Sequence, residues 1–368
     1  MKPYVPQGLP PTDVDYGRLI GAVGRANAAI ARYDGMLQSL VNPAILLSPM
    51  TTQEAVLSSK IEGTEATLDE VLEHEAGRDY DEAKTQDIQE IVNYRTALTL
   101  ARETLEARPL SLSILRQLHK ILMNSVRGQD KTPGEFRKDQ NWIGPKGCPL
   151  EEATFVPPGP LQLLDHLQAW EKYLRGNDVD PLVQAAIVHA QFEMIHPFKD
   201  GNGRIGRLLV PLYLYQKKVL GTPMFYLSEY LERHRDDYYG RLQGISQRGD
   251  WGAWIAFFLS AVTEQASQNM RKVQETLALY EEMKTQISEA THSQYCIRLL
   301  DAIFDRPVFQ ASHIVNQTKL AKQTVMPLLR VMRASSILTV IREASGRKPA
   351  ILAFPRLLNI AEGRNVLP

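Results

Sequence analysis

Cysteine is almost missing from this chain: 368 residues hold two, Cys148 and Cys296. Two cysteines so far apart build no disulfide framework and no zinc-binding thiolate cluster, and they fit a reducing cytosol. Net charge is also missing, with 42 Lys and Arg against 42 Asp and Glu. No apolar stretch approaches the span of a membrane helix. The opening residues, MKPYVPQGLPPTDVDY, hold no apolar run resembling a signal peptide, so a cytoplasmic chain with no membrane partner is expected. Internal repeats and low-complexity segments are absent. What remains is an ordinary soluble composition, 44% apolar and 23% charged, at a length that suggests two or three domains. Long helical patterns and few strand-like runs predict a mainly α protein.

One string stands out against this background. Residues 196–207 read HPFKDGNGRIGR, which places a titratable imidazole, an acid, a glycine turn and two arginines within twelve positions. His196 can take a proton near neutral pH. Asp200 can hold a hard divalent cation through oxygen. Gly201, Asn202 and Gly203 let the backbone turn so that N–H groups face phosphate. Arg204 and Arg207 can each grip phosphate oxygens in a bidentate way. Together they suit holding a nucleoside triphosphate while a hydroxyl is deprotonated beside it.

Gly201, Gly203 and Gly206 also satisfy the G-x-G-x-x-G dinucleotide pattern, which has meaning only after a buried strand. Here Leu182, Ala185, Ala186, His189, Phe192 and Ile195 recur at helical spacing, so the loop follows a helix. Leu208, Leu209, Leu212 and Tyr215 begin another helix whose N-terminus faces the loop, an anion-binding arrangement.

At these residues the chain resembles the Fic-domain proteins, whose defining pattern HxFx[D/E]GNGRxxR is filled at every fixed position. The resemblance implies ATP and Mg²⁺ in the loop and transfer of AMP to a protein hydroxyl, with pyrophosphate leaving. His196 would be the general base and Asp200 the Mg²⁺ ligand. Gly201, Asn202 and Gly203 would hold the α- and β-phosphates, Arg204 the β-phosphate and Arg207 the γ-phosphate. Phe198 would face the core and pin the loop.

Upstream, residues 51–75 are expected to run as an amphipathic helix opened by a capping Thr, with Val56, Leu57 and Ile61 on one side. Ser58-Ser-Lys-Ile-Glu62-Gly63 within it resembles the [S/T]xxxE[G/N] inhibitory motif of many Fic proteins. That resemblance implies that Glu62 pairs with Arg207 and that Ser58 fixes the helix, with Gly63 completing the motif. Residues 141–158 read as a β-hairpin: Asn141, Trp142 and Ile143, then Thr154, Phe155 and Val156, around a turn with Gly144, Pro145, Gly147 and Pro149. It resembles the Fic flap, whose edge takes up a target segment by strand addition. Tyr238 or Tyr239 is the expected partner of the adenine.

The end of the chain has a different character. Residues 285–368 carry 11 Lys and Arg against 5 Asp and Glu, a net of +6 that leaves −6 for the rest. A helical pattern (295–304), two short helices (309–315 and 318–332, Asn316-Gln317 between) and two strands (337–341 and 350–354) follow one another. That is the order of a winged helix-turn-helix, with the recognition helix at 319–333 and Arg347 and Lys348 at the wing tip. Pro327 should kink that helix or shift its boundary. Many bacterial Fic proteins resemble this arrangement.

The expected organisation is a helical region at 1–105 with an inhibitory helix at about 51–66, a Fic core at 106–260, a connecting helix at 261–284 and the winged-helix part at 285–368. The expected function is AMP transfer from ATP to a Tyr, Thr or Ser hydroxyl of a target protein or of the chain itself. Alternatives are an ATP-sensing DNA-binding regulator and an enzyme that removes AMP. A homodimer and DNA are further candidate partners.

Overall fold

The computed structural model describes residues 2–124, 131–145 and 147–367. Helix α1 (Tyr16–Ser39) is followed by the short α2 (Pro43–Leu46), α3 (Ser48–Ile61), α4 (Leu68–Glu75), the long α5 (Glu82–Ala107) and α6 (Leu112–Leu122). After the loop region come α7 (Leu163–Arg175), α8 (Pro181–Ile195), α9 (Asn202–Gln216), α10 (Ser228–Arg233), α11 (Arg235–Arg248) and α12 (Trp251–Thr291). The chain closes with α13 (Cys296–Asp305), β1 (Val308–Phe309), α14 (Ala311–Thr318), α15 (Lys322–Ala334), β2 (Thr339–Arg342), β3 (Ile351–Ala353) and α16 (Pro355–Glu362). The protein is mainly helical, as its periodicity predicts. No described helix is long and apolar enough to cross a membrane.

Two compact units emerge. The first comprises residues 1–35, 57–63 and 93–267; the second comprises 36–56, 64–92 and 268–368. This departs from four consecutive segments. The helix expected at 261–284 lies within α12, which is continuous over 41 residues.

In the first unit α8 is buried almost all round, from Leu182 to Ile195. It starts cleanly because the Asp180 carboxylate accepts from the N–H groups of Leu182 and Val183 at 2.8 and 3.2 Å, with Pro181 in the first turn. Helix α9 packs beside it and begins inside the conspicuous string, at Asn202. Trp170 and Trp254 donate their indole N–H to Val188 and Ala186 carbonyls at 2.9 and 2.8 Å, so the largest side chains of the core are also oriented.

In the second unit, α13, α14 and α15 pack in sequence order beside a three-stranded antiparallel sheet of order β1-β3-β2. Val308 pairs with Ala353 and Phe309 with Leu352, while Val340 also pairs with Leu352. Strand β1, two residues at the start of the expected helix 309–315, was not apparent from sequence. The break between α14 and α15 falls at Lys319–Ala321 rather than Asn316-Gln317, with Lys319 left-handed at φ 54°. Pro327 lies inside α15 without ending it.

The helix expected over 51–75 is two helices. It starts at Ser48, before the capping Thr, and ends at Ile61. Gly63 then turns the chain at φ +94°, a conformation costly to any residue with a Cβ. Helix α4 is capped anew: the Thr67 hydroxyl and the Glu70 carboxylate satisfy each other's backbone N–H groups in a capping box.

Candidate functional site

The string 196–207 forms the junction between α8 and α9. His196 terminates α8 in the left-handed conformation, φ 49°, at a position where Gly or Asn is the easy choice. Its Nδ1–H donates to the Glu193 carbonyl at 3.2 Å, which leaves Nε2 with the lone pair. Burial pushes its imidazole down to about 4, so the ring is neutral and able to accept a proton at pH 7.

Four contacts hold the loop that follows. Phe198 is fully buried and stacks on His119 with centroids 3.9 Å apart and planes within 6°. The His119 Nε2–H donates to the Asp200 carbonyl at 3.0 Å, while Nδ1 accepts from Gly134 N–H at 2.8 Å. Burial pushes His119 down to about 4, and its neutral tautomer is fixed by those two partners. Asn202 accepts from Phe198 N–H through Oδ1 at 2.8 Å and donates to Phe198 O through Nδ2 at 2.9 Å. That side chain is buried and occupied, so what Asn202 can offer a phosphate is its backbone. Gly201 sits at φ 74°, and a Cβ there would lie 3.1 Å from the Met123 sulfur.

The first turn of α9 presents the N–H groups of Asn202, Gly203 and Arg204, which an α-helix leaves without intrahelical partners. Arg204 is buried and its Nη2 lies 3.8 Å from Asp200 Oδ1. Asp200 itself is about half exposed.

Arg207 is buried among oxygen acceptors. Its Nη2 donates to Glu62 Oε1 at 2.7 Å and to the Ser58 carbonyl at 2.7 Å, and its Nε donates to Ser58 Oγ at 2.9 Å. Burial alone would raise the Glu62 carboxyl; the Arg207 guanidinium overrides it and holds the group below its usual range. Glu62 in turn holds Arg207 up against the opposing effect of burial. Gly203 makes the approach feasible, because a Cβ there would fall 2.1 Å from Glu62 Oε1. Lys60, two residues before, pairs with Glu232 at 2.7 Å. Ser58 and Glu62, 149 and 145 positions from Arg207 in sequence, thus meet it in one cluster.

Two participants lacked a recognisable signal in the sequence. Arg137 is buried and donates to four backbone carbonyls: His196 at 2.9 Å, Pro158 at 2.6 Å, Ile195 at 3.3 Å and Asp139 at 3.2 Å. Burial pushes its guanidinium down to about 10. Glu193 lies one turn before His196. Its Oε1 is buried with no hydrogen-bond partner, and a Cβ on Gly206 would fall 2.0 Å from it. Burial pushes Glu193 up to about 8, opposed by the Arg207 charge and aided by that of Glu62. Glu193 is the one acid in the run 182–195, too weak a signal among Gln184, His189 and Gln191 to single it out.

The segment 141–158 is a reduced hairpin. Ile143 and Phe155 form a single antiparallel bridge, with N–H to O distances of 2.8 Å from Ile143 and 3.1 Å from Phe155. Pro145 and Pro157 on its flanks lack N–H donors, so the ladder does not extend to Trp142 or Val156. Asn141 Nδ2 donates to the Phe198 carbonyl at 3.1 Å, which ties this segment to the loop. Trp142 and Ile143 are exposed, Thr154 is exposed, Phe155 is half-buried and Val156 is buried.

Of the two tyrosines expected beside an adenine, Tyr238 belongs to the core. It is buried and bonds His189 Nε2 at 3.0 Å, and its ring lies against His189, Tyr239 and Trp254. Tyr239, 42% exposed, keeps a face to solvent. His189 is likewise a core residue, with Nδ1 bonded to the Gly206 carbonyl at 2.9 Å and burial pushing it down to about 4.

The sequence pattern of the Fic/DOC family N-terminal region matches residues 20–103, and that of the Fic/DOC family matches 109–214. The chain is 30% identical over 151 residues to "Protein adenylyltransferase Fic" of Aedes aegypti, covering 40% of this chain and 27% of the mosquito protein. It is 29% identical over 194 residues to "Probable protein adenylyltransferase" of Aquifex aeolicus, covering 52% of this chain and 56% of that one. The match therefore spans about a quarter of the insect relative and about half of the bacterial one. A Fic family protein from Desulfovibrio desulfuricans G20 superposes with a TM-score of 0.58 at 20% identity, over 96% of this chain and 98% of that chain. Fic-1 (aa134–508) from C. elegans superposes with a TM-score of 0.52 at 18% identity, over 73% and 74%. With the two family patterns adjoining and the motif loop complete, the chain is a Fic-domain protein of the Fic/DOC family.

Proposed function

We propose that this protein transfers AMP from ATP to a hydroxyl of a target protein, and that Glu62 restrains it. The observation that carries the reading is the junction of His196, the Gly201–Gly203 turn and Arg207 at one helix N-terminus. Its relatives' names support the same activity.

The target segment adds to the exposed backbone edge at Trp142 and Ile143, next to the loop through Asn141. His196 Nε2 accepts the proton of the target hydroxyl. The freed oxygen attacks the α-phosphorus of ATP, the bond from that phosphorus to its bridging oxygen breaks, and pyrophosphate leaves. The α9 N–H groups and Arg204 balance charge on the phosphates. Asp200 is a lone, half-exposed carboxylate, and no group of three candidate ligands exists among the described residues. That donor set fits Mg²⁺, which takes one or two carboxylates plus substrate phosphates. When bound, it supplies charge neutralisation at the leaving oxygens.

Restraint follows from Arg207. A guanidinium bound to Glu62 and Ser58 is occupied where the γ-phosphate needs it. Glu62→Gly should raise AMP addition at least tenfold in a lysate supplied with labelled ATP and Mg²⁺, and adding His196→Ala should abolish it. Unchanged addition in Glu62→Gly would overturn the restraint. No addition in any variant would overturn the transfer activity.

The same ionised Glu62, facing His196, also suits placing a water for removal of AMP. Release of AMP from a modified protein by the wild type but not by Glu62→Gly would favour that reading. We further infer that residues 296–362 form a winged helix-turn-helix, from the order helix, strand, helix, helix, strand, strand.

A further inference from the structure

We propose that the helix α15 face of the second unit binds duplex DNA, an inference that rests on the winged-helix reading of residues 296–362. Four observations converge on it.

The first is charge. From Arg306 to Arg342 the chain carries six Lys and Arg and no Asp or Glu. Second, those cations are sorted by position. Val325, Leu328, Leu329 and Met332 face inward on α15, whereas Lys322, Arg330 and Arg333 are exposed on the stripe flanking that face, at spacings of eight and three residues. Lys319 in the preceding turn is exposed as well.

Third, other cations of this unit have internal partners. Arg342 donates to Gly77 and Pro349 carbonyls at 3.0 and 3.1 Å, Lys348 meets Asp79 at 2.8 Å, Arg356 grips Glu282 with two bonds of 2.7 Å, and Arg298 donates to Thr318 O at 2.8 Å. Among the described residues no such partner holds Lys319, Lys322, Arg330 or Arg333. The folded unit thus engages Lys348 of the expected wing, with Arg347 exposed, and leaves α15 charged. Binding is accordingly assigned to the helix, with Lys348 outside it.

The fourth is geometry. Helices α14 and α15 are joined by three residues, with Lys319 left-handed, which is the tight connection of a helix-turn-helix. In that motif the first turn of the second helix meets base edges. Here that turn opens with exposed Lys322 and Gln323, side chains suited to guanine and adenine in the major groove.

The test uses the full chain and fluorescence anisotropy on a labelled duplex of mixed sequence. Affinity should fall as salt rises, with a slope of log affinity on log salt of about −3 to −4 for roughly four phosphate contacts. Lys322→Glu with Arg330→Glu should weaken binding at least tenfold and flatten the slope by about two. Lys138→Glu, an exposed cation of the first unit, should change it less than twofold. Gln323→Ala should relax the sequence preference selected from a random duplex pool and leave the slope intact. Absence of binding at about 50 mM salt, equal affinity for a single strand of the same length, or no effect of the double reversal would each overturn the proposal. Thermal melts establish that each variant is folded. Should the double reversal unfold, the pair Lys322→Gln and Arg330→Gln replaces it with the same expectation. Loss of binding in a folded variant bears on DNA contact alone; the winged-helix reading fails separately if a solved structure lacks the β1-β3-β2 sheet.

Discussion

Two pairs of arginines, one pair in each unit, do opposite work. In the first, Arg137 and Arg207 are 2% and 3% exposed, and each is surrounded by oxygen acceptors fixed in place. In the second, Arg330 and Arg333 stand in solvent with no bonded partner among the described residues. A buried guanidinium is a geometric device: removing it strands carbonyls and carboxylates that water cannot reach. An exposed one contributes field, which is nearly additive and weakened by salt. Position therefore decides whether a cation organises its own protein or is left for something outside it.

The contrast is breakable. The largest effect is expected for Arg137→Met, which strands the carbonyls of Ile195, His196 and Pro158 behind the 196–207 loop. A loss of about 3–5 kcal/mol in urea unfolding should accompany loss of AMP transfer. A loss under 1 kcal/mol would mean those carbonyls find water, and the geometric account would fail.

Glu193→Gln sharpens the comparison through pH. The folded carboxyl is pushed up to about 8, above its unfolded value near 4.3, so the folded state holds the proton more tightly. Its stabilising contribution is complete below the unfolded value and is lost as pH rises toward 8. Wild type should therefore lose stability relative to Glu193→Gln between about pH 4.3 and 8, with a constant gap above that. Parallel melting curves across that range would refute the buried, unpartnered assignment. Glu62 runs the other way. Its carboxyl lies below the usual range, so its contact with Arg207 is intact at neutral pH and is lost only as pH falls through the depressed value.

Smaller still, Thr67→Ala removes half of a capping box and should cost about 1 kcal/mol. The smallest change is expected for Arg330→Met, within about 0.5 kcal/mol by the same urea measurement. A larger loss there would show that the cation has an internal role and would weaken the case for an external ligand.

The string 196–207 was legible because it is local: His196, Asp200, the glycine turn and Arg207 fall within twelve residues. Helix α8 was legible from the spacing of its apolar residues, whereas its burial on nearly every side was not. Arg137 was not, because its acceptors at 158, 195 and 196 become neighbours only on folding. The end of α3 was missed because polar and apolar residues continue in helical rhythm past Ile61, and the left-handed Gly63 overrides that rhythm. The face that Tyr238 takes was not legible, because sequence shows an aromatic on a helix and leaves that open; it lies in the core, bonded to His189. Strand β1 is two residues long, too short for any alternation to register.

The missing side chain at Gly203 has a quantitative consequence. One vacancy beside Arg207 admits the Glu62 carboxylate, and on the proposed function the same vacancy receives the triphosphate. The two are then mutually exclusive occupants, and apparent nucleotide affinity scales with the fraction of molecules in which the carboxylate has withdrawn. If that fraction is about one in a hundred, a pocket of micromolar intrinsic affinity behaves as one of roughly 100 μM. Anything that steadies the chain around Gly63 then sets the ATP concentration at which the protein responds, with no contact to the nucleotide at all.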